Sequence, residues 1–245
     1  MFLTGTLLNV ATVLLGTSAG LLAGARVPRR MQESLTTGLG FFTLIVAASM
    51  ALRLLTDPAV RPGDELAVLA ALLLGVAIGE LLRLHDGLEA VGAWFQRRLA
   101  RGEGSGSRVA EGFVTASLVF CVGPLTILGS LENGLRGDIT LLATKSLLDG
   151  VTSVAFAAAL GPGVYLSAIT VLVVQGGIAA GAFLLQDVMD APTILAITAT
   201  GGLILLGIAL RLLELKPVRV ANFLPALILA PLFLRVADWV RALTS

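Results

Sequence analysis

Residues 121–161 read CVGPLTILGSLENGLRGDITLLATKSLLDGVTSVAFAAALG. The stretch sets Glu132, Arg136, Asp138, Lys145 and Asp149 between two oily segments. A charge inside hydrocarbon is expensive and is retained where it has a purpose. Lys145 and Asp149 stand four residues apart, which on a helix is one face. Gly123-Pro124 interrupts the first oily segment about midway. Proline removes a backbone donor and clashes with the preceding turn, so the spacing predicts a kinked or broken helix there. In membranes, broken backbone is tolerated where it lines a cavity or a site.

The rest of the chain agrees with a lipid solvent. Of its 245 residues, 56% are hydrophobic and 13% charged, and mean hydropathy is +0.95. Soluble domains carry about 25% charged residues. Twenty-eight glycines and few aromatics suit closely packed membrane helices. A net charge of +1 without a basic patch argues against nucleic acid as a partner. Cys121 and His85 are each the single residue of their type, so neither a disulfide, a thiolate metal site nor a histidine cluster can be built. There is no phosphate-binding glycine loop with its lysine and no HExxH. No cofactor is expected, and enzyme is the weaker class.

A spanning helix needs roughly 20 mostly apolar residues. Candidate spans are 4–25, 36–56, 65–83, 109–130, 140–160, 162–186, 192–213 and 219–240. The expectation is an all-α, polytopic protein with about eight transmembrane helices, a single integral membrane domain over residues 1–245. Residues 84–108 form the cytoplasmic connection, opening as an amphipathic stretch and ending in the flexible RGEGSGSR. The basic loops at 26–35, 84–108 and 214–219 alternate with loops at 57–64 and 187–190 that are poorer in Lys and Arg. With eight spans this places every basic loop inside and both termini outside. Arg235 and Arg241 run against the rule.

The chain repeats itself at an offset of 158 residues. Ala51-Leu-Arg-Leu-Leu55 falls on Ala209-Leu-Arg-Leu-Leu213, Glu80 on Asp238, and Arg83 on Arg241. Residues 1–83 then form one three-helix repeat and 162–241 a second, with the broken and charged spans of 109–160 as a central pair. Five spans separate equivalent helices, so the copies are inverted, a common plan of secondary transporters. Chance similarity between Leu/Ala-rich helices is the competing account.

Asp149 is deep in its span and Lys145 is near enough the end to snorkel. A salt bridge between them offsets part of each desolvation cost. Functionally, Asp149 takes up a proton or ligates a cation, and Lys145 competes with that cation or holds an anion; structurally, the pair only locks two helices. Thr126, Ser130, Glu132 and Asp138 follow the Gly123-Pro124 break, the two acids being either mouth charges or ordinary loop charges. Asn133-Gly134 and Arg136-Gly137 read as tight turns. Thr144, Ser146, Thr152 and Ser153 supply hydroxyls around the charged pair. Asn9 and Asn222 interrupt the first and last spans, as ligands or as interhelical glue. Tyr165, Ser167, Thr170 and Gln175 draw a modest polar line in the sixth span. GTSAG (16–20), GVAIG (75–79) and GIAAG (177–181) are small-residue faces for helix packing, one of them compatible with a homodimer seam.

These residues bring a family into view. Gly5-Thr6 and Asn9, Cys121-Val-Gly-Pro124 through Gly129-Ser130, Gly134-Leu-Arg-Gly-Asp138, Lys145-Ser-Leu-Leu-Asp149-Gly and Asn222-Phe-Leu-Pro225-Ala together resemble the bacterial inner-membrane family called domain of unknown function 554. The likeness covers nearly the full length. It implies a multi-pass protein of the bacterial inner (plasma) membrane and supports the same residues, without bringing a settled activity. The reading is membrane transport of a small solute or monovalent ion, carrier-like, with a buried Lys/Asp site. The alternatives are a channel, or a non-transporting ligand-sensing or interaction module.

Overall fold

The computed structural model describes residues 3–24, 28–87, 90, 106–122, 124–185 and 189–244. All regular structure among them is helical. The longer elements are α1 (Thr4–Gly24), α2 (Arg29–Thr56), α3 (Asp64–Leu81), α4 (Gly106–Cys121), α5 (Pro124–Arg136), α6 (Thr140–Leu160), α7 (Val164–Ala180), the short α8 (Ala182–Leu185), α9 (Ala191–Leu212) and α10 (Ala226–Thr244), with a 3-10 turn at Val220–Phe223. Most of each stretch expected to span is helical among the described residues, the fourth being divided between α4 and α5, the sixth between α7 and α8, and the last opening in the 3-10 turn. Residues 84–87 are helical, while 88–89 and 91–105 of the expected connection lie outside the described residues.

Among the described residues, five helical segments are long and apolar enough to cross a bilayer: Thr4–Gly24, Glu33–Thr56, Thr140–Leu160, Ala191–Leu212 and Val220–Leu243. The pair α4 and α5 makes a sixth when counted as one span bent by 61°. Of the remaining two candidates, α3 has 18 residues but carries Asp64, Glu65 and Glu80, and α7 has 17 residues.

The distribution of side chains is the reverse of a soluble protein's. Leu15, Leu22, Phe41, Ile45, Leu55, Leu147, Val151, Val173 and Trp239 are exposed, whereas Thr6, Asn9, Ser130, Asn133, Lys145, Asp149 and Gln175 are buried. In water this arrangement would forfeit the hydrophobic driving force. In lipid the outer face is already solvated, and helices associate through small residues and internal hydrogen bonds.

The chain packs as two compact units, residues 1–39 with 87–187 and residues 40–86 with 188–245. In the first, α1 lies along α6. A Cβ at Gly16 would overlap Ser153 and the Gly150 carbonyl, one at Gly20 the Val154 carbonyl, and one at Gly24 would meet Ala158. Three glycines spaced by four residues thus let two backbones touch. Gly163 meets Val109 in the same way, which brings the start of α4 to the α6–α7 connection. Phe120 and Phe156 stack tilted between α4 and α6, their centroids 6.0 Å apart.

In the second unit, α3 packs on α10 around Val68, Ala71, Ala230 and Leu234, with Ala196 of α9. Gly75 abuts Ala226, and Gly79 abuts the backbone of Asn222. Buried Asp64 accepts from the Arg61 backbone N–H at 2.9 Å and pairs with Arg241. At the head of α9, Asp190 is the N-cap, its carboxylate accepting from the Thr193 N–H at 3.0 Å. Partial burial pushes that carboxyl up, but the Thr193 hydrogen bonds and the Arg235 and Arg61 charges outweigh it and hold it below the ordinary range. Its contribution is therefore present above the ordinary carboxylate pKa and fades as pH falls through the lowered one. Asp190→Ala is expected to cost about 1 kcal/mol, read as detergent thermal stability near neutral pH, with the difference from wild type vanishing in strong acid.

Candidate functional site

The polar interior of the first unit is built from α1, α5, α6 and α7. Lys145 and Asp149, one turn apart on α6, form an ion pair at 2.6 Å with both side chains 7% exposed. Lys145 does not snorkel; it turns inward. Asn9 of α1 donates from Nδ2 to the same carboxylate oxygen, Asp149 Oδ2, at 2.9 Å. Neither bond uses Oδ1. The close approach of α1 and α6 across Gly16 and Gly20 is what brings an asparagine 140 residues away in sequence onto this acid.

Pro124 opens α5, and Gly123 lies outside the described residues. Proline has no N–H with which to continue a helical ladder across the break. The Thr126 hydroxyl takes over, donating to Phe120 O at 3.0 Å. Thr126 therefore caps the end of α4. Ser130 and Ser146 are also buried; Ser146 donates to Leu142 O at 2.6 Å, and Ser130 Oγ is unpartnered among the described residues. Thr144, Thr152 and Ser153 bond carbonyls of their own helix, the usual fate of hydroxyls on membrane helices.

The two acids after the break stay away from this cluster. Glu132 pairs with Arg136 at 3.1 Å on the outside of α5. Asp138 is in the α5–α6 connection and accepts from the Thr140 N–H at 2.8 Å. That backbone N–H, helped by the Thr140 hydroxyl and Arg136, holds the Asp138 carboxyl below its ordinary range. Asn222 belongs to the second unit, where its carbonyl oxygen accepts from the His85 N–H at 2.8 Å.

Of the two expected turns, only Arg136-Gly137 is one, with Gly137 at φ 71°. Asn133-Gly134 is inside α5. A Cβ at Gly134 would overlap the Ala179 carbonyl, so this glycine serves helix contact. Asn133 has a role that the sequence reading missed: its Oδ1 accepts from the Gly5 N–H at 3.1 Å, capping the exposed amides at the start of α1. Of the polar line in α7, Tyr165 meets Ser18 at 2.8 Å, Thr170 accepts from Ser117 at 3.0 Å, and Ser167 bonds its own helix. Gln175 is fully buried, and neither amide atom has a partner among the described residues.

Fold and site together define an α-helical membrane protein with a buried Lys–Asp pair held by an asparagine from a second helix. The chain belongs to the family described as "Protein of unknown function (DUF554)", which matches residues 4–235. It is similar to "Uncharacterized protein YqgA" of Escherichia coli (strain K12), with 32% identity over 228 residues, 92% of this chain and 94% of that one. It is also similar to "Uncharacterized membrane protein YdfK" of Bacillus subtilis (strain 168), with 28% identity over 232 residues, 95% of this chain and 96% of that one. No solved structure matches the chain.

Proposed function

We propose that the protein is a secondary carrier for a small solute or ion in the bacterial inner membrane, with Asp149, Lys145 and Asn9 at its binding centre. The observation that carries this reading is the ion pair itself. Two charges 2.6 Å apart are kept almost wholly from water inside one unit. A purely structural pair is a poor use of such charges, since apolar residues of the same volume stabilise a core at least as well. Among the described residues, one of the Lys145 ammonium's three hydrogens and one of the two Asp149 oxygens are engaged, so both groups keep capacity for a guest.

An inverted repeat belongs to the same proposal, and it finds support inside the second unit. At the 158-residue offset α1 corresponds to α7, α2 to α9 and α3 to α10. The helices α3 and α10 share a core at Ala71 and Ala230, near-equivalent positions. The ion pair Arg61–Asp238, at 2.7 Å, maps by the same offset onto Arg219–Glu80, at 3.5 Å. Swapping the copies thus exchanges one salt bridge for the other. Eight spans with both termini outside follow from that arrangement and from the basic loops. Arg241 and Arg235, which run against the charge rule, are each held by a carboxylate, Asp64 and Asp190 respectively. Of the small-residue faces, Gly16, Gly20, Gly75 and Gly79 are spent on contacts within the protomer, which leaves Gly177 as the open position for a homodimer seam.

The test is saturable uptake into proteoliposomes across a panel of small solutes and monovalent ions. Asp149→Asn is expected to lower it by more than about tenfold, the factor carried by 1.4 kcal/mol of lost interaction. Uptake that is unchanged in this variant would sink the proposal, as would flux absent across the panel with a partner protein copurifying.

A further inference from the structure

Besides Thr17 Oγ1, five polar atoms in the first unit are buried without a hydrogen-bond partner among the described residues: Thr6 Oγ1, Asn9 Oδ1, Ser130 Oγ, and Oε1 and Nε2 of Gln175. All four residues are 0% exposed. Native interiors rarely leave such groups unpaired, and a primary amide with both ends unpaired is the most costly of the set.

Helix register brings them to one seam. The short connections at 137–139 and 161–163 make α5 and α7 both antiparallel to α6, hence parallel to each other. Gly134 of α5 abuts Ala179 of α7. One turn back along each helix stand Ser130 and Gln175. A Cβ at Gly176, the next residue, would be 3.9 Å from the Thr6 methyl on α1. Asn9 follows Thr6 by three residues on the same face, and its Nδ2 is already on Asp149.

The unspent capacity is of both signs. Donors are the Gln175 Nε2 hydrogens and the free hydrogens of Lys145. Acceptors are Gln175 Oε1, Asn9 Oδ1 and Asp149 Oδ1. The ion pair between them sums to zero charge. A bare cation would leave Nε2 unpaired and add charge beside Lys145. A bare anion would leave two amide carbonyls unpaired and add charge beside Asp149. A guest with a donor at one end, an acceptor at the other and no net charge meets all of these at once.

We propose that Thr6, Asn9, Ser130 and Gln175 complete the Lys145–Asp149 site as a receptor for a small, net-neutral dipolar solute, with Gln175 a direct contact. The solute is a zwitterion or a primary amide, chemistries that share this donor and acceptor layout. The inference rests on the carrier reading only in taking this core for the binding centre.

The full-length protein in mild detergent tests it by thermal unfolding, with glycine as the zwitterion, acetamide as the amide, and potassium chloride and sodium acetate as charged controls. Wild type is expected to be stabilised by glycine or acetamide, whichever stabilises more naming the class, and not by the salts beyond a common ionic effect. Gln175→Met keeps the length and removes the unpaired amide. It is expected to raise Tm by about 2–4 °C, the shift for a domain of this size when one such penalty is relieved, and to abolish the response to the stabilising solute. A lowered Tm in Gln175→Met with the response intact would overturn the proposal. So would stabilisation by a salt alone, or no response to either solute. A solute response without flux in proteoliposomes removes the carrier reading and leaves this site standing; flux of a charged solute, with no response to glycine or acetamide, does the reverse.

Discussion

Lys145→Met is expected to destabilise the protein by about 3–5 kcal/mol, because it leaves the Asp149 carboxylate buried with only Asn9 as partner. The reverse variant, Asp149→Leu, strands an ammonium on the same helix and is expected to fall in the same range. The double variant Lys145→Met with Asp149→Leu removes both charges and is expected to recover most of the loss, to within about 1–2 kcal/mol of wild type. Reversible unfolding in detergent gives the three differences, and the cycle gives their coupling. Two equal and additive losses would mean that the groups do not share one energetic unit. Uptake separates stability from function: the double variant is expected to fold and not to transport. A folded, active double variant would reduce the pair to a helix fastener.

The second large effect is expected at Gly79. A Cβ there would occupy the space of the Asn222 backbone in the 3-10 turn Val220–Phe223. Backbone gives way far less readily than the end of a flexible side chain. Gly79→Val adds two further carbons and must part α3 from that turn, taking the His85–Asn222 hydrogen bond with it. The expected loss is at least about 3 kcal/mol, seen as aggregation in size-exclusion chromatography or failure to accumulate in the membrane. Gly38→Val, inside α2, is the matched control, since nothing stands within 4 Å of its Cβ position. It is expected to stay within about 0.5 kcal/mol of wild type. Equal tolerance at both positions would show that α3 and the turn part at little cost.

Much of the architecture is legible from composition and spacing. A run of apolar residues at the length of a bilayer has few alternatives to helix, because in lipid the backbone must satisfy itself. Hence the α6 limits, Thr140–Leu160, coincide with the span read from the sequence. The Lys145–Asp149 pair is legible for the same reason: four residues on a helix is a contact by geometry alone. Gly134 shows where such reading stops. Asn-Gly is a turn signal in water-soluble chains, yet here the glycine serves the approach of α5 to Ala179, a neighbour that no local pattern announces. Glu132 and Asp138 look like Lys145 and Asp149 in the sequence, but they face outward and bond locally, to Arg136 and Thr140.

Sequence alone determined the solvent, the helices and the buried Lys145–Asp149 ion pair within α6, because each depends on residues close together along the chain. Tertiary structure decided the rest: that Asn9 bonds the Asp149 carboxylate, that Asn133 caps α1, and that the buried Gln175 amide has no partner among the described residues. Those relations join residues up to 140 positions apart, and they exist only because small side chains let particular helix faces come into contact.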